Sequence, residues 1–341
     1  MQSAECCKEY PLSYNCIFLL GPTAVGKTAI GVQLALSLDG EIISADSRQV
    51  YTGLDIGSGK DLADYTLQLS DGKRVQIPYH LIDITNLSHE YNLFDYQEDF
   101  YKAFLDIISR GKLPIVVGGT GMYADCILRN YDLVPTPENP ALRAELEAKS
   151  YDELKALLIA EKADLHNTTD FADKDRIIHA LLIERYLKSA ECAAYRAARP
   201  PRPAVSPLVL GTTLPRALLR ERIAKRLHER LDAGMIDEVK GLHENGSAAG
   251  EGGSSWSRLM QLGLEYRFVS EYLQGSFGAL GTEEARALLF EKLNFAIGRF
   301  AKRQETWFRG MEKKGVVIHW LPQTVSVEER VVAALQLAAS L

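Results

Sequence analysis

Cys16-Ile17-Phe18-Leu19-Leu20-Gly21-Pro22-Thr23-Ala24-Val25-Gly26-Lys27-Thr28 is a short apolar run that leads into G-x-x-x-x-G-K-T. Five apolar residues stopped by a glycine read as a buried strand, and the apolar-rich stretch from Thr28 to Leu38 reads as a helix. Between them the glycines let successive backbone N–H groups turn inward, and the helix N-terminus adds partial positive charge. Lys27 is placed to reach terminal phosphate oxygens, and the Thr28 hydroxyl to join a Mg²⁺ ion. The segment Gly21 to Thr28 is expected to bind a di- or triphosphate.

Outward from this loop, strand and helix alternate. Glu41 to Ala45 is a second strand, and Leu113 to Val117 a third, entered through Pro114 and closed by Gly118-Gly119. Phe94, Phe100, Phe104, Ile107 and Ile108 recur near helical spacing between Asn92 and Arg110, so this stretch crosses between strands. Asp71-Gly72, between alternating segments from Thr66 to Ile77, predicts a hairpin. Such alternation implies an α/β fold, a P-loop NTPase-like parallel sheet flanked by helices.

The pattern then changes. Pro135-Thr136-Pro137-Glu138-Asn139-Pro140 is a stiff linker, and a helical pattern rich in Ala, Leu, Glu and Lys runs from it to the cluster Pro200, Pro201, Pro203 and Pro207. The expected organisation is a core of residues 1–134 and 201–341 with a helical insertion at 135–200. Leu208-Val209-Leu210 returns to strand character, and the chain from Pro215 is again mostly helical. Gly246 to Ser255 reads as a glycine- and serine-rich loop, and Val316 to Trp320 as a late strand.

Composition bounds the function. A chain of 341 residues is about two domains. With 46% hydrophobic and 25% charged residues it is not disordered, collagenous or coiled-coil. No apolar run reaches the ~18 residues that cross a bilayer. The N-terminus is too acidic, at Glu5 and Glu9, and its apolar stretch too short, for a signal peptide. Cys6, Cys7, Cys16, Cys126 and Cys192 show no C-x-x-C spacing, so neither zinc nor a disulfide framework is indicated and a reducing cytoplasm is expected. The net charge of −6 argues against wholesale capture of nucleic acid. Locally the balance reverses: Arg216, Arg220, Arg222, Lys225, Arg226 and Arg230 face only Glu221 and Glu229, and Arg299, Lys302, Arg303, Arg309, Lys313 and Lys314 only Glu305 and Glu312. Two such runs suit a local polyanion site, although each alone would also serve as a solvated helix face.

Asp46 closes the second strand, at the edge where open α/β sheets bind ligands. By position it could be a metal holder or a general base. Thr120, after Gly118-Gly119, occupies the same edge following the third strand.

The residues around Asp46 carry a resemblance. Ser44-Ala45-Asp46-Ser47-Arg48-Gln49-Val50-Tyr51, with Gly53-Leu54-Asp55-Ile56-Gly57, resembles the second signature of the tRNA dimethylallyltransferases. Tyr79-His80-Leu81-Ile82-Asp83 and Gly111 to Tyr123 are similar too, as are Arg222 to Leu227, Ala233 to Val239 and Phe300 to Phe308. The matches run in order from about Cys16 to Trp320, nearly the whole chain.

This resemblance implies transfer of a dimethylallyl group from dimethylallyl diphosphate to N6 of the adenosine next to the anticodon (position 37), in tRNAs that read codons starting with U. It implies Asp46 as general base, with Thr28, Thr120 and Arg222 also in the catalytic set and Thr28 holding Mg²⁺ as cofactor. Gly21 to Thr28 would hold the diphosphate. Asp46, Ser47, Arg48, Gln49, Thr120, Arg143, Asp175, Arg176, Lys302, Arg303 and Gln304 would contact the tRNA anticodon stem-loop. The implied protein is a cytoplasmic monomer of bacterial type, with no Cys/His zinc module after Trp320.

The chain departs from the family pattern at three places. It reads Ser58-Gly59-Lys60-Asp61 where the family usually reads T-A-K-P, His179 where arginine is more usual, and Gly263-Leu264-Glu265-Tyr266-Arg267 in place of a G-Y-K pattern. These bear on tRNA choice and leave the diphosphate loop and Asp46 untouched. A transferase acting on free adenine nucleotides, a P-loop small-molecule kinase and an RNA-binding ATPase module are the alternatives. The helical insertion and the Lys302-Arg303 segment count against a small acceptor.

Overall fold

The computed structural model describes residues 13–161, 171, 173–245 and 253–340. Its strands are Cys16–Leu20 (β1), Gly40–Ala45 (β2), Thr66–Gln68 (β3), Arg74–Gln76 (β4), Tyr79–His80 (β5), Leu113–Gly118 (β6), Pro207–Gly211 (β7) and His319–Trp320 (β8). Six of them form one parallel sheet in the order β5-β2-β6-β1-β7-β8. β1, β2 and β6 are almost wholly apolar and almost wholly buried, as strands covered on both faces must be. Because all run the same way, Gly21, Asp46, Gly119 and Thr212 leave the sheet at one edge. That edge carries the site.

Lys27–Ser37 (α1), Leu93–Ser109 (α2) and Gly121–Leu128 (α3) accompany the first half of the sheet. The start of α2 is a capping box, with Asn92 accepting from Phe94 and Asp95 N–H while the Asp95 side chain accepts from Asn92 N–H. β3 and β4 pair antiparallel around Asp71-Gly72, the expected hairpin.

The chain divides into two compact units, Met1–Tyr131 with Pro203–Leu341, and Asp132–Arg202. The second contains Pro140–Glu147 (α4), Tyr151–Glu161 (α5), Lys174–Leu187 (α6) and Ala190–Ala198 (α7). Its own small core is built on Leu146, Leu154, Leu158, Ile177, Ile178 and Leu181. Asp132 accepts from Arg199 at 2.6 Å and lies 2.9 Å from Arg196, which ties its first residue to its last helix.

Past β7 the first unit continues through Arg216–Asp232 (α8), Met235–Asn245 (α9), Trp256–Gln261 (α10), Leu264–Leu273 (α11), Glu283–Lys313 (α12) and Val327–Ser340 (α13). α12 is 31 residues long without a break. It buries Ala285, Leu289, Leu293, Ile297, Ala301, Gln304, Phe308 and Met311, a stripe at three- and four-residue spacing. Each leucine so buried contributes about 2 kcal/mol. Gln304 interrupts this apolar stripe, and its partners explain why.

The late strand is shorter than expected. Only His319 and Trp320 pair with β7, because the Val316 N–H still turns back to the Met311 carbonyl and holds the chain off the sheet. Of the Gly246 to Ser255 loop, residues 246–252 lie outside the described residues, as do Cys6 and Cys7. Cys16, Cys126 and Cys192 are buried and outside any disulfide among the described residues. Among the described residues no helix is long and apolar enough to cross a membrane.

Candidate active site

The phosphate loop wraps tightly between β1 and α1. Gly26 sits at φ +88°, a left-handed conformation that turns the following N–H groups inward at little cost only for glycine. Lys27 Nζ donates to the Pro22 carbonyl at 2.7 Å, so the ammonium lies folded over its own loop. Three distant residues brace that loop. Arg226 of α8 bonds the Thr23 hydroxyl, and Gln304 of α12 accepts from Thr23 N–H at 2.9 Å. Arg330 of α13, fully buried, donates to the Val25 carbonyl at 2.7 Å and the Thr212 hydroxyl at 3.1 Å.

A cavity of about 400 Å³ opens at the loop, lined by Lys27, Thr28, Asp46, Gln49, Arg222 and Arg226 among others. The Lys27 ammonium is pushed down to about 8 by burial, opposed by the Asp46 carboxylate and assisted by Arg226. Arg226 is pushed down to about 10 by burial and then by Arg230. One guanidinium nitrogen of Arg222 and one of Arg330 are buried with no hydrogen-bond partner among the described residues. Cations held together in this way suit an anion far better than an empty cavity.

Asp46 faces the same space, one of its carboxylate oxygens accepting from Arg48 N–H at 2.9 Å. Thr120 stands on the neighbouring strand end. Its N–H donates to the Ala45 carbonyl and its hydroxyl accepts from Ser47 N–H, both at 3.1 Å, so it fixes the turn that carries Asp46. Asp61 and Asp64 add carboxylates to the lining, which with Thr28 and Asp46 is a hard-oxygen set. Among the described residues no three His, Cys, Asp or Glu side chains could hold a metal alone. Mg²⁺ is usually bound through one or two protein oxygens plus substrate phosphates and water, and these residues fit that pattern.

The expected residues thus separate into three groups. The loop, Asp46, Gln49 and Arg222 share the cavity, with Ser47, Arg48 and Thr120 in the adjoining turn. Lys302 and Arg303 are exposed on α12, where they line a second, open groove of about 1490 Å³ with Arg216, Arg220 and Arg299. Gln304 points the other way: its amide bridges Thr23 N–H and the Gly119 carbonyl, leaving it buried at the phosphate loop. Arg143, Asp175 and Arg176 belong to the second unit, Arg143 being 3.8 Å from Glu147 and Arg176 3.3 Å from Asp173. Arg330, Asp61 and Asp64 were not expected, and Arg226 was expected only as part of the basic run, not at the phosphate site. Arg226 is one helical turn after Arg222, a spacing that marks a shared face; Arg330 has no local signal.

A sequence model of the IPP transferase family matches residues 49–311, and one of isopentenyl transferases matches residues 14–83. The chain belongs to the IPP transferase family. A tRNA dimethylallyltransferase 2 of Syntrophotalea carbinolica is 50% identical over 310 residues, 91% of this chain and 95% of the relative. The same-named protein of Treponema denticola is 48% identical, covering 90% of this chain and 96% of the relative. A crystal structure of the full-length tRNA isopentenylpyrophosphate transferase of Bacillus halodurans aligns with a TM-score of 0.62 at 30% identity, covering 96% of both chains. The phosphate loop and Asp46 fall within the residues matched by the isopentenyl transferase model, and the α8 arginines within those matched by the IPP transferase model.

Proposed function

We propose that this chain is a tRNA dimethylallyltransferase, moving a dimethylallyl group from its diphosphate to N6 of the adenosine adjacent to the anticodon (position 37) in tRNAs that read codons starting with U. The observation that carries this reading is the placement of the Asp46 carboxylate and the Lys27 ammonium on one small cavity. A phosphate cradle alone would suit many enzymes. A carboxylate beside it supplies a base where the cradle supplies a leaving-group site.

In the reaction, the N6 amine attacks the first carbon of the prenyl group, a C–N bond forms and the C–O bond to diphosphate breaks. Asp46 accepts the proton that N6 loses. Lys27, the loop N–H groups, Arg222 and Arg226 stabilise the charge that accumulates on the departing diphosphate. Thr28 would hold Mg²⁺ against the diphosphate oxygens, and the ion would supply further charge neutralisation there. Thr120 keeps the Asp46 turn in register through Ser47.

The target base must leave the anticodon-loop stack to reach Asp46. Gln49 and the turn from Ser47 would meet it, while Lys302 and Arg303 would bear on RNA phosphates. Arg143, Asp175 and Arg176 would add contacts from the helical unit. A local cationic surface suffices for this, so the net charge of −6 is no obstacle. The chain would work as a monomer in the cytoplasm, and its buried thiols outside disulfides need no oxidising compartment.

The test is mass spectrometry of nucleosides from unmodified tRNA incubated with the protein, dimethylallyl diphosphate and Mg²⁺. A dimethylallyl gain on the adenosine beside the anticodon is expected. A gain confined to AMP or ADP offered in parallel, or no gain at all, would overturn the assignment.

A further inference from the structure

Gln49 lies on the cavity wall with both ends of its amide engaged. Its Oε1 accepts from Ser44 Oγ at 2.9 Å, and its Nε2 donates to the Gly59 carbonyl at 3.1 Å. An amide is nearly symmetric in shape, so its partners decide which end presents the donor. These two bonds leave one N–H and one lone pair of Gln49 free, the groups with which an amide reads an adenine edge.

The turn that carries the Gly59 carbonyl is itself packed against a clamp. A Cβ at position 59 would stand 1.6 Å from Arg230 Nη2, so the guanidinium lies flat against the backbone where any side chain would be. Arg230 Nη1 approaches the Gly57 carbonyl at 3.4 Å and Glu265 Oε1 at 3.6 Å. The two side chains are only 10% and 13% exposed, so each lies largely out of water and offsets the burial of the other. Glu238 closes the turn from behind, accepting from the N–H groups of Asp55, Ile56 and Gly57.

Two departures from the family pattern meet here. Gly59 stands where alanine is usual, and Glu265 lies in the altered Gly263 to Arg267 segment. They are joined through one guanidinium. We propose that Arg230 and Glu265 are positioning residues for the acceptor base: through the Gly59 carbonyl they orient the Gln49 amide, and Gly59 is the notch that lets them. The proposal rests on the reading that an adenine enters beside Asp46.

The test measures prenyl transfer to an anticodon stem-loop RNA by the wild type, Gly59→Ala, Glu265→Gln, Gln49→Ala and the Gly59→Ala/Gln49→Ala double variant. Gly59→Ala is expected to raise KM for the stem-loop about tenfold. KM for dimethylallyl diphosphate and the Kd for inorganic pyrophosphate should stay within about twofold, because the phosphate loop is untouched. Adding Gly59→Ala to Gln49→Ala should change nothing further. Glu265→Gln should move the same KM in the same direction, and it carries the test if Gly59→Ala does not fold.

An effect of Gly59→Ala that persists without Gln49, or that falls equally on both KM values, overturns the proposal. So does a stem-loop KM left unchanged by Gly59→Ala and by Glu265→Gln when the wild type transfers the group. No transfer by the wild type removes the underlying reading and this inference with it.

Discussion

Gln304 donates its side-chain amide to the Gly119 carbonyl at 2.8 Å, across 185 positions of sequence. The other end of the same amide accepts from Thr23, so α12 joins the phosphate loop to the turn after β6. Gln304→Ala leaves a carbonyl and an N–H without partners in a buried place. The expected cost is about 1–3 kcal/mol in urea unfolding, with pyrophosphate binding weakened about tenfold. Matching unfolding midpoints would show that Gln304 merely occupies space.

Lys27 makes diphosphate affinity depend on pH in a defined direction. Its ammonium is held down to about 8, so below that pH the charge is present before the ligand arrives. Above it, binding must first take up a proton, and Kd should rise by up to about tenfold per pH unit. Arginine keeps its charge over this range, so Lys27→Arg serves as the reference that cancels the ligand's own titration. The wild-type to variant Kd ratio for pyrophosphate at pH 7, 8 and 9 should climb; a flat ratio would place the lysine outside the binding step.

Asp46→Asn removes the proposed base and keeps the shape. Turnover should fall by about 10³-fold while pyrophosphate and stem-loop affinities stay near wild type. Single-turnover kinetics would separate the two. Near-normal turnover would assign Asp46 to binding alone.

Glu41 governs acid stability far from the site. Arg110 and His80 hydrogen-bond its carboxylate, which is 5% exposed, and they lower it to about 2 against burial. A depressed carboxylate stabilises the fold above its ordinary range near 4.5, and that stability is lost as pH falls toward 2. Arg110 is 42% exposed, so screening reduces the contribution to about 2 kcal/mol. Urea midpoints for wild type and Glu41→Gln should differ at pH 7 and converge as pH drops from about 4.5 toward 2.

What could be read from the chain was what is local. The run Cys16 to Leu20, the glycine spacing to Thr28 and the placement of Asp46 after an apolar strand all depend on neighbours within a few residues, and they yielded the sheet edge and the cradle. β5 is two residues long and too short to carry any period. Arg330 was hidden, and the place of Arg226 at the loop with it, for another reason: a cation on an amphipathic helix looks like solvent-facing charge until the fold brings Val25 or Thr23 to it. Gln304 was legible as part of a motif, while the direction in which it points depends on a partner 281 positions away.

Those long separations carry a consequence for how the protein is made. The phosphate loop emerges from the ribosome early, yet its braces Arg226, Gln304 and Arg330 are translated some two to three hundred residues later. A nascent chain that has already formed β1, β2 and β6 still has an unbraced cradle. Catalytic competence therefore waits until Arg330 has been made, and a product stalled before it holds the motif without the power to use it.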